Sequence, residues 1–207
     1  MKKSLTEFYK ALRAQGFAIF GDVPLAPFTA FAVGGNAELL LLPRTCAELW
    51  LALEQAERWE LPLTIFGGGA NILVADSGIR GAVLSLRSMQ GAAWQSGLLR
   101  AEAGWDMSAL CRYSAQKNAS GLHYFYGMPG SLGGAVYMNA RCYEGEMSEI
   151  VRRVRCIPAR RQVNGAGVYC LGDLRWVDLS PEDWHYKYSH FQRDSGHELA
   201  GALIVSV

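Results

Sequence analysis

The sequence predicts a protein of mixed helices and strands, in an α+β or α/β arrangement. Apolar residues recur at helical spacing in residues 4–15, and a second helix begins near Thr45, which fits a capping box with Glu48. Short apolar runs such as 63–66 and 81–86 have the length and character of buried strands. These elements alternate along the first part of the chain, which favours a mixed class.

Local signals predict the remaining elements. Asp106 is a typical N-cap, and it predicts a helix with Met107, Leu110 and Ala115 facing inward. A further helix is expected over 131–140. The other predicted elements are strands at 38–42, 72–74, 97–104, 151–157, 162–163, 168–171 and 203–207, with one helical turn at 180–183.

Length and charge limit the classes of function. The chain has 207 residues, enough for one large or two small domains of about 100–200 residues each. Its 20 basic and 19 acidic residues leave a net charge of +1, whereas nucleic-acid binding usually requires a clear basic excess. We therefore expect no nucleic-acid partner. The 23 glycines are clustered rather than periodic, which is typical of functional loops.

Cysteine usage and hydropathy predict a cytoplasmic protein with free thiols. The five cysteines are odd in number, and no two are spaced as CxxC, so neither a disulfide framework nor a zinc site is indicated. His185, His190 and His197 lack the spacing of a helical metal pair, so we expect no metal. The first ten residues lack the apolar segment of a secretory signal, and no apolar run approaches a membrane span.

The strongest local signal for binding is the stretch Gly67–Val74, which reads GGGANILV and follows the predicted strand 63–66. Three consecutive glycines permit positive φ and leave backbone N–H groups exposed. Successive exposed N–H groups form a concave site for anions such as phosphate. The stretch matches neither GxGxxG nor the P-loop. A tight turn between two buried strands is the alternative interpretation.

A second glycine-rich stretch favours the phosphate site. Residues 127–140 read GMPGSLGGAVYMNA, Thr29–Gly35 reads TAFAVGG, and Tyr186–Phe191 reads YKYSHF. Taken in chain order, Thr29–Gly35, Gly67–Val74, residues 127–140 and Tyr186–Phe191 resemble the UDP-N-acetylenolpyruvoylglucosamine reductase family, the flavoenzymes of peptidoglycan precursor synthesis. The resemblance covers essentially the whole chain.

This resemblance implies a fold of the α+β class, the two-subdomain FAD-binding fold of the PCMH/vanillyl-alcohol-oxidase type. The first subdomain is expected at 1–90 and the second at 91–207. FAD is expected to be held without a covalent bond. The family's third domain, which supplies a proton-donating serine and a glutamate, is expected to be absent. Both a fragment and a naturally shortened relative stay open as explanations.

The resemblance also implies which residues bind the cofactor. Both glycine stretches are expected to face the pyrophosphate and ribityl chain of FAD. For Ser131 the alternative role is a helix N-cap, and for Asn139 it is a cap at a helix end. The implied residues are Val33, Gly34, Gly67, Gly68, Gly69, Ala70, Asn71, Ile72, Leu73, Gly127, Pro129, Gly130, Ser131, Gly133, Gly134, Asn139 and Ala140.

The implied reaction is the reduction of UDP-N-acetylglucosamine enolpyruvate, a UDP-sugar enolpyruvyl ether, to UDP-N-acetylmuramate, with NADPH as the reductant. The implied catalytic residues are Lys187 and Tyr186, and Tyr186 and Ser189 are implied to bind substrate. The family pattern normally has an arginine at the position of Lys187. Lysine cannot make the planar two-pronged contact that arginine makes with a carboxylate.

Two further departures from the family pattern lie close together. Arg141 stands where the family commonly has glycine, and we expect a surface arginine. Cys142 is expected to be an ordinary small residue. Besides the reductase, two functions stay open: an FAD-binding module that is non-catalytic or depends on a partner, and a different FAD oxidase that shares the fold.

Overall fold

The computed structural model describes residues 2–163 and 165–207. The α-helices are α1 (Lys2–Ala14), α2 (Cys46–Arg58), α3 (Met107–Gln116), α4 (Leu132–Tyr137) and α5 (Met147–Ile150). The strands are β1 (Ile19–Pro24), β2 (Asn36–Leu41), β3 (Leu63–Phe66), β4 (Ile79–Ser85), β5 (Ala92–Gln95), β6 (Leu98–Ala101), β7 (Arg141–Cys142), β8 (Gly145–Glu146), β9 (Arg153–Ile157), β10 (Ala159–Val163), β11 (Ala166–Tyr169), β12 (Arg175–Asp178), β13 (Trp184–His185), β14 (Tyr188–Ser189) and β15 (Leu203–Ser206).

The largest sheet has six strands in the order β1-β2-β4-β3-β11-β10. Its central strands β2, β4 and β3 run parallel, with Leu63 opposite Ala82 and Phe66 opposite Ser85. The hairpins at either side are antiparallel. Strand β11 joins the sheet through one pairing, Gly167 with Leu63. The carboxyl end of β3 therefore opens beside residues from the second half of the chain.

Side chains alternate across this sheet as expected for strands. Leu39 and Leu41 of β2 enter the larger buried cluster, which also contains Leu53 of α2, whereas Leu40 enters a smaller cluster with Phe66. The larger cluster continues through α3 and α4 into the second sheet. One apolar core thus links both halves of the chain.

The second sheet has three strands in the order β12-β9-β15. All four residues of β15 are buried. Ala101, at the end of β6, exchanges two backbone hydrogen bonds with Val207, and the N–H of Ala103 donates to Val205 O. The N–H of Gly133 in α4 also donates to Ala103, at 2.9 Å. This packing places the start of α4 opposite the carboxyl end of β3.

Most predicted elements are confirmed, and the differences have local causes. The capping box at Thr45 is half formed: its hydroxyl accepts from the Glu48 N–H, but the Glu48 carboxylate accepts from Arg44 N–H instead of that of Thr45. The strand predicted at 72–74 is wrong. These residues belong to the connection between β3 and β4, where no strand pairs with them and Leu73 is 76% exposed.

Two predicted helices are shorter or rotated. α3 buries Met107, Leu110 and Ser114, whereas Ala115 is exposed, so the prediction of an inward Ala115 is wrong. The face i, i+3, i+4, i+7 from Met107 reaches position 114, not 115. α4 ends at Tyr137 because Asn139 adopts φ +42°.

Two further observations concern membrane-spanning helices and the boundary between the subdomains. Every helix within residues 2–163 and 165–207 is too short or too polar to span a lipid bilayer. The hairpin β10–β11, although it lies beyond residue 90, completes the sheet of the first part. The division at 1–90 and 91–207 stays a prediction.

Candidate functional site

The two glycine-rich stretches meet in the structure. The backbone N–H of Gly68 donates to the Ser131 Oγ at 3.0 Å. A Cβ atom built on Gly68 would lie 2.5 Å from both the Gly130 Cα and the Ser131 nitrogen. No real Cβ contact is that short, so only glycine permits this approach of two backbones. The stretches therefore form one continuous glycine-lined surface.

Ser131 is the joint between the two stretches. It is 5% exposed, and its hydroxyl also accepts from the Gly134 N–H at 3.3 Å, as an N-cap of α4. This observation confirms the alternative interpretation of Ser131 as an N-cap. One oxygen thus satisfies an end donor of α4 and fixes the loop after β3 against that end.

The loop after β3 presents free backbone donors. Within the described part of the chain, no residue accepts a hydrogen bond from the N–H groups of Gly69, Ala70 or Asn71. Gly69 has φ +70°, and its carbonyl accepts from Ala30 N–H at 3.0 Å, which fixes the turn. Three successive unpaired N–H groups in such a turn form an anion-binding concavity.

These loops border a cavity of about 540 Å³. Its floor is apolar and comes from the sheets, with Ile65, Leu86, Ala103 and Ile204 among its residues. Most implied cofactor residues lie on its lining. Those that do are Gly67, Gly68, Gly69, Ala70, Asn71, Ile72, Pro129, Gly130, Ser131, Gly133, Gly134 and Ala140.

The lining of the cavity also carries three cations, Arg141, Lys187 and Arg193. All three residues are solvent-exposed, and no described residue of the lining is an aspartate or a glutamate. A Cβ built on Gly165, which follows β10, would lie 2.9 Å from Arg193 Nη1, so this guanidinium lies against the β10–β11 turn. Backbone donors and cations on one lining fit a ligand with two phosphate charges.

The comparison with known proteins agrees with this geometry. Residues 37–162 match the family described as FAD binding domain, and they include both glycine stretches. The chain belongs to that FAD-binding family. Its mixed helix and strand content and its solved relatives place it in the α+β class, with the FAD-binding fold of the PCMH/vanillyl-alcohol-oxidase type.

Two relatives of this FAD-binding chain have the same name. The UDP-N-acetylenolpyruvoylglucosamine reductase of Treponema pallidum is 35% identical over 89% of this chain and 60% of its own length. That of Gloeobacter violaceus is 38% identical over 86% of this chain and 61% of its own. The resemblance to this family is confirmed. The chain spans about 60% of the length of these two relatives.

Solved structures show the same fold. The UDP-N-acetylenolpyruvylglucosamine reductase of Thermus caldophilus superimposes with a TM-score of 0.62 at 26% identity, covering 89% of this chain and 59% of its own. An alkyldihydroxyacetonephosphate synthase superimposes with a TM-score of 0.61, covering 97% of this chain and 39% of its own. Its identity is 16%, so this second likeness concerns the fold alone.

Two implied site residues of the FAD-binding chain are buried outside the lining. Asn139 is 0% exposed, and its side chain bonds to Glu146 Oε1, to His185 O and to the Ser148 N–H. Ser189 is 1% exposed, and its hydroxyl donates to Tyr137 O at 2.6 Å. Their polar side-chain atoms are hydrogen-bonded to other residues of the protein. These bonds fix the backbone around the cavity.

Other implied residues lie at the margin, outside the lining. Val33, Leu73 and Tyr186 are exposed by 49%, 76% and 68%. Gly34 packs on Val74, where an added Cβ would lie 2.7 Å from the valine Cβ. Gly127 donates its N–H to Ser108 Oγ at 3.0 Å. Lys187, in contrast, is the implied catalytic residue that reaches the lining.

Several lining residues escaped the sequence prediction. Tyr137 and Met138 lie within the second glycine stretch but were not implied to bind the cofactor, and Tyr169 and Arg193 belong to no glycine motif. Burial raises the pKa of Tyr169, whose hydroxyl donates to Gly201 O at 3.0 Å. Arg141 was expected at the surface, and it is both exposed and part of the lining. No local sequence pattern distinguishes these residues.

Proposed function

We propose that the chain is the FAD-binding part of an NADPH-dependent reductase that acts on UDP-N-acetylglucosamine enolpyruvate in peptidoglycan precursor synthesis. The joined glycine stretches carry the proposal, because they present backbone donors to a cavity whose described lining also holds three cations and no carboxylate. The names of the relatives supply the substrate class. A cytoplasmic location fits these soluble substrates. The proposal also keeps the predicted subdomains at 1–90 and 91–207.

In this proposal the glycine-lined surface holds the cofactor. The free N–H groups of Gly69, Ala70 and Asn71 would donate to a phosphate of FAD, and the apolar residues of the lining would exclude water from the cofactor. FAD, bound without a covalent link, supplies the hydride-transfer chemistry. Ser131 keeps the two loops joined, so the donors are already in place before binding.

Lys187 and Tyr186 act at the reacting end in this proposal. The Lys187 ammonium lies 5.5 Å from the centre of the Tyr186 ring, a cation–π contact that restrains a long side chain. A cation on the lining stabilises the negative charge that develops beside the substrate carboxylate during reduction. We assign no residue of this chain as the proton donor to the substrate carbon.

The test begins with the purified protein. We expect a yellow protein whose flavin spectrum is released on denaturation, because the cofactor is held without a covalent bond. We then expect NADPH oxidation that depends on UDP-N-acetylglucosamine enolpyruvate. A colourless protein that does not take up added FAD contradicts the proposal.

A non-catalytic or partner-dependent FAD-binding module is the second candidate. Lys187, at the position of the family's arginine, favours it, because lysine orients a carboxylate less well. This candidate predicts FAD binding without substrate-dependent NADPH oxidation. K187R separates the two, because it restores the two-pronged donor: a gain in kcat with unchanged FAD affinity supports the reductase.

A further inference from the structure

Lys187 sits in a strained turn. Strands β13 and β14 pair as a two-residue hairpin, Trp184 with Ser189 and His185 with Tyr188, so Tyr186 and Lys187 form its loop. Lys187 has φ +53°, a left-handed conformation that glycine adopts freely and other residues adopt at a cost. Such a conformation persists only where surrounding contacts impose it.

Two buried side chains attach this hairpin to the end of α4. Asn139 Nδ2 donates to His185 O at 2.9 Å, on the strand before the turn. Ser189 Oγ donates to Tyr137 O at 2.6 Å, on the strand after it. Each flank of the turn is therefore fixed to the last residues of the second glycine stretch.

Gln192 holds the turn itself. Its Nε2 donates to the carbonyl of Lys187 at 2.8 Å and lies 3.9 Å from Met138 Sδ. Asn71, which belongs to the first glycine stretch, approaches the same sulfur with its Nδ2 at 3.5 Å. Sulfur is a weak acceptor, so the bond to Lys187 O is the stronger restraint. The contacts connect the Lys187 backbone to both glycine stretches.

We propose that Asn139, Ser189 and Gln192 are positioning residues that hold Lys187 in its left-handed conformation and keep its ammonium at the cofactor cavity. The inference rests on the FAD binding proposed above. None of the three side chains needs to touch the cofactor. Their effect on binding passes through Lys187, so it should vanish when the lysine charge is absent.

A double-mutant cycle between Q192L and K187M tests this role. The dissociation constant of FAD is measured for the wild type, both single variants and the double variant, at low and moderate salt. We expect each single variant to weaken binding by about two- to fivefold, the size of one partly exposed charge interaction, and to reduce its salt dependence. In the K187M background, Q192L should change neither quantity.

S189A is the second variant, and Q90L is the matched control. Gln90 also donates its Nε2 to a backbone carbonyl, that of Arg87 at 3.0 Å, but it lies on an exposed loop outside the cavity lining. Q90L should leave FAD affinity unchanged. S189A should weaken FAD binding in the wild-type background but not in the K187M background, as expected for Q192L. S189T restores a hydroxyl, so recovery of FAD affinity in S189T supports a hydrogen-bonding role.

The outcomes separate this inference from the proposed function. A wild type that does not bind FAD overturns the proposed function, and the inference with it. Normal FAD binding with equal losses from Q192L in both backgrounds overturns the positioning role alone, since additive effects mean an independent contribution to stability. A K187M variant with unchanged affinity and salt dependence also overturns it.

Discussion

Two groups of residues on the cavity lining are built in opposite ways. The glycine wall (Gly67–Asn71 and Gly130–Gly134) offers backbone donors without charge, and its two parts are in direct contact through Gly68 and Ser131. The cationic wall (Arg141, Lys187 and Arg193) offers exposed side chains, each from a separate segment. The first wall depends on the absence of side chains, and the second on long side chains held by their backbone.

This difference predicts different sensitivities. The surface cannot adjust when a methyl group is added at Gly68 or Gly69, because the nearest neighbouring atoms there are themselves backbone. An exposed cation contributes a screened interaction, and its neighbours compensate in part for its loss. Substitutions in the glycine wall should therefore affect folding and binding together, whereas substitutions in the cationic wall should affect binding alone.

The largest effect is expected for G68A. The added Cβ would lie 2.5 Å from Gly130 Cα and Ser131 N, so the loops must separate and the bond from Gly68 to Ser131 is lost. We expect a loss of about 1–3 kcal/mol in the free energy of unfolding. FAD binding should weaken at least about tenfold, which corresponds to 1.4 kcal/mol. Urea unfolding and flavin titration measure the two quantities.

G21A is the matched control for this substitution. A Cβ on Gly21 would meet only Glu38 O at 3.9 Å, an ordinary contact, on the edge strand β1. Its unfolding free energy and FAD affinity should stay close to those of the wild type. If G68A behaves like G21A, the loops are not held in the contact that defines the glycine wall.

The glycine wall is also the part of the site that the sequence predicts best. Three consecutive glycines after a buried strand specify a turn with free N–H groups, and this requirement is local. The second stretch adds Ser131, a typical N-cap residue at the start of the helix predicted over 131–140. What the sequence does not contain is the contact between Gly68 and Ser131, which depends on how the two halves pack.

The cationic wall is largely hidden from sequence reasoning. Arg193 follows no motif, and it reaches the cavity because Tyr137, 56 residues earlier, accepts a bond from its N–H through the hydroxyl at 3.2 Å. The sequence likewise gives no sign that the Ser189 hydroxyl donates to the carbonyl of Tyr137. A spacing of residues in the chain reveals a motif, but it does not reveal whether a hydroxyl faces a cavity or a neighbouring carbonyl.

An intermediate effect is expected for R193M and for R141M. Each removes one exposed cation from the lining while it keeps an unbranched apolar side chain. FAD binding should weaken about two- to fivefold at low salt, and the loss should shrink as salt rises. The melting temperature should not change. R13M, at the end of α1, is the control for loss of an exposed arginine elsewhere.

The combined variant R141M/R193M sharpens this comparison. Residues in separate segments that act only through charge should contribute additively within about 0.5 kcal/mol. A loss of binding that is independent of salt contradicts the electrostatic role of this wall. A fall in melting temperature, similar to that of G68A, contradicts the distinction between the two walls.

The smallest effect is expected from the histidines that support the Arg193 segment. The ring of His190 stacks on that of His197 with centroids 4.1 Å apart, and Ser195 Oγ donates to His190 O at 2.9 Å. Burial, followed by the neighbouring His197, lowers the pKa of His190, while Asp183, whose Oδ1 lies 3.5 Å from its Nδ1, partly opposes this. His190 is therefore neutral in the fold at neutral pH.

The sign of the pH dependence follows from this lowered pKa. Below the ordinary histidine pKa of about 6.5, the unfolded chain binds a proton that folded His190 does not, so stability falls as pH falls through that value. H190N removes this linkage and should flatten the fall in melting temperature between about pH 7 and pH 5 by roughly 1–3 °C. H123N, outside the cluster, should leave the slope unchanged. A slope that is identical in H190N and the wild type would show that the charge state of His190 does not stabilise the segment that carries Arg193, and the bond from Arg193 N–H to the Tyr137 hydroxyl would then be the contact that holds this segment at the cavity.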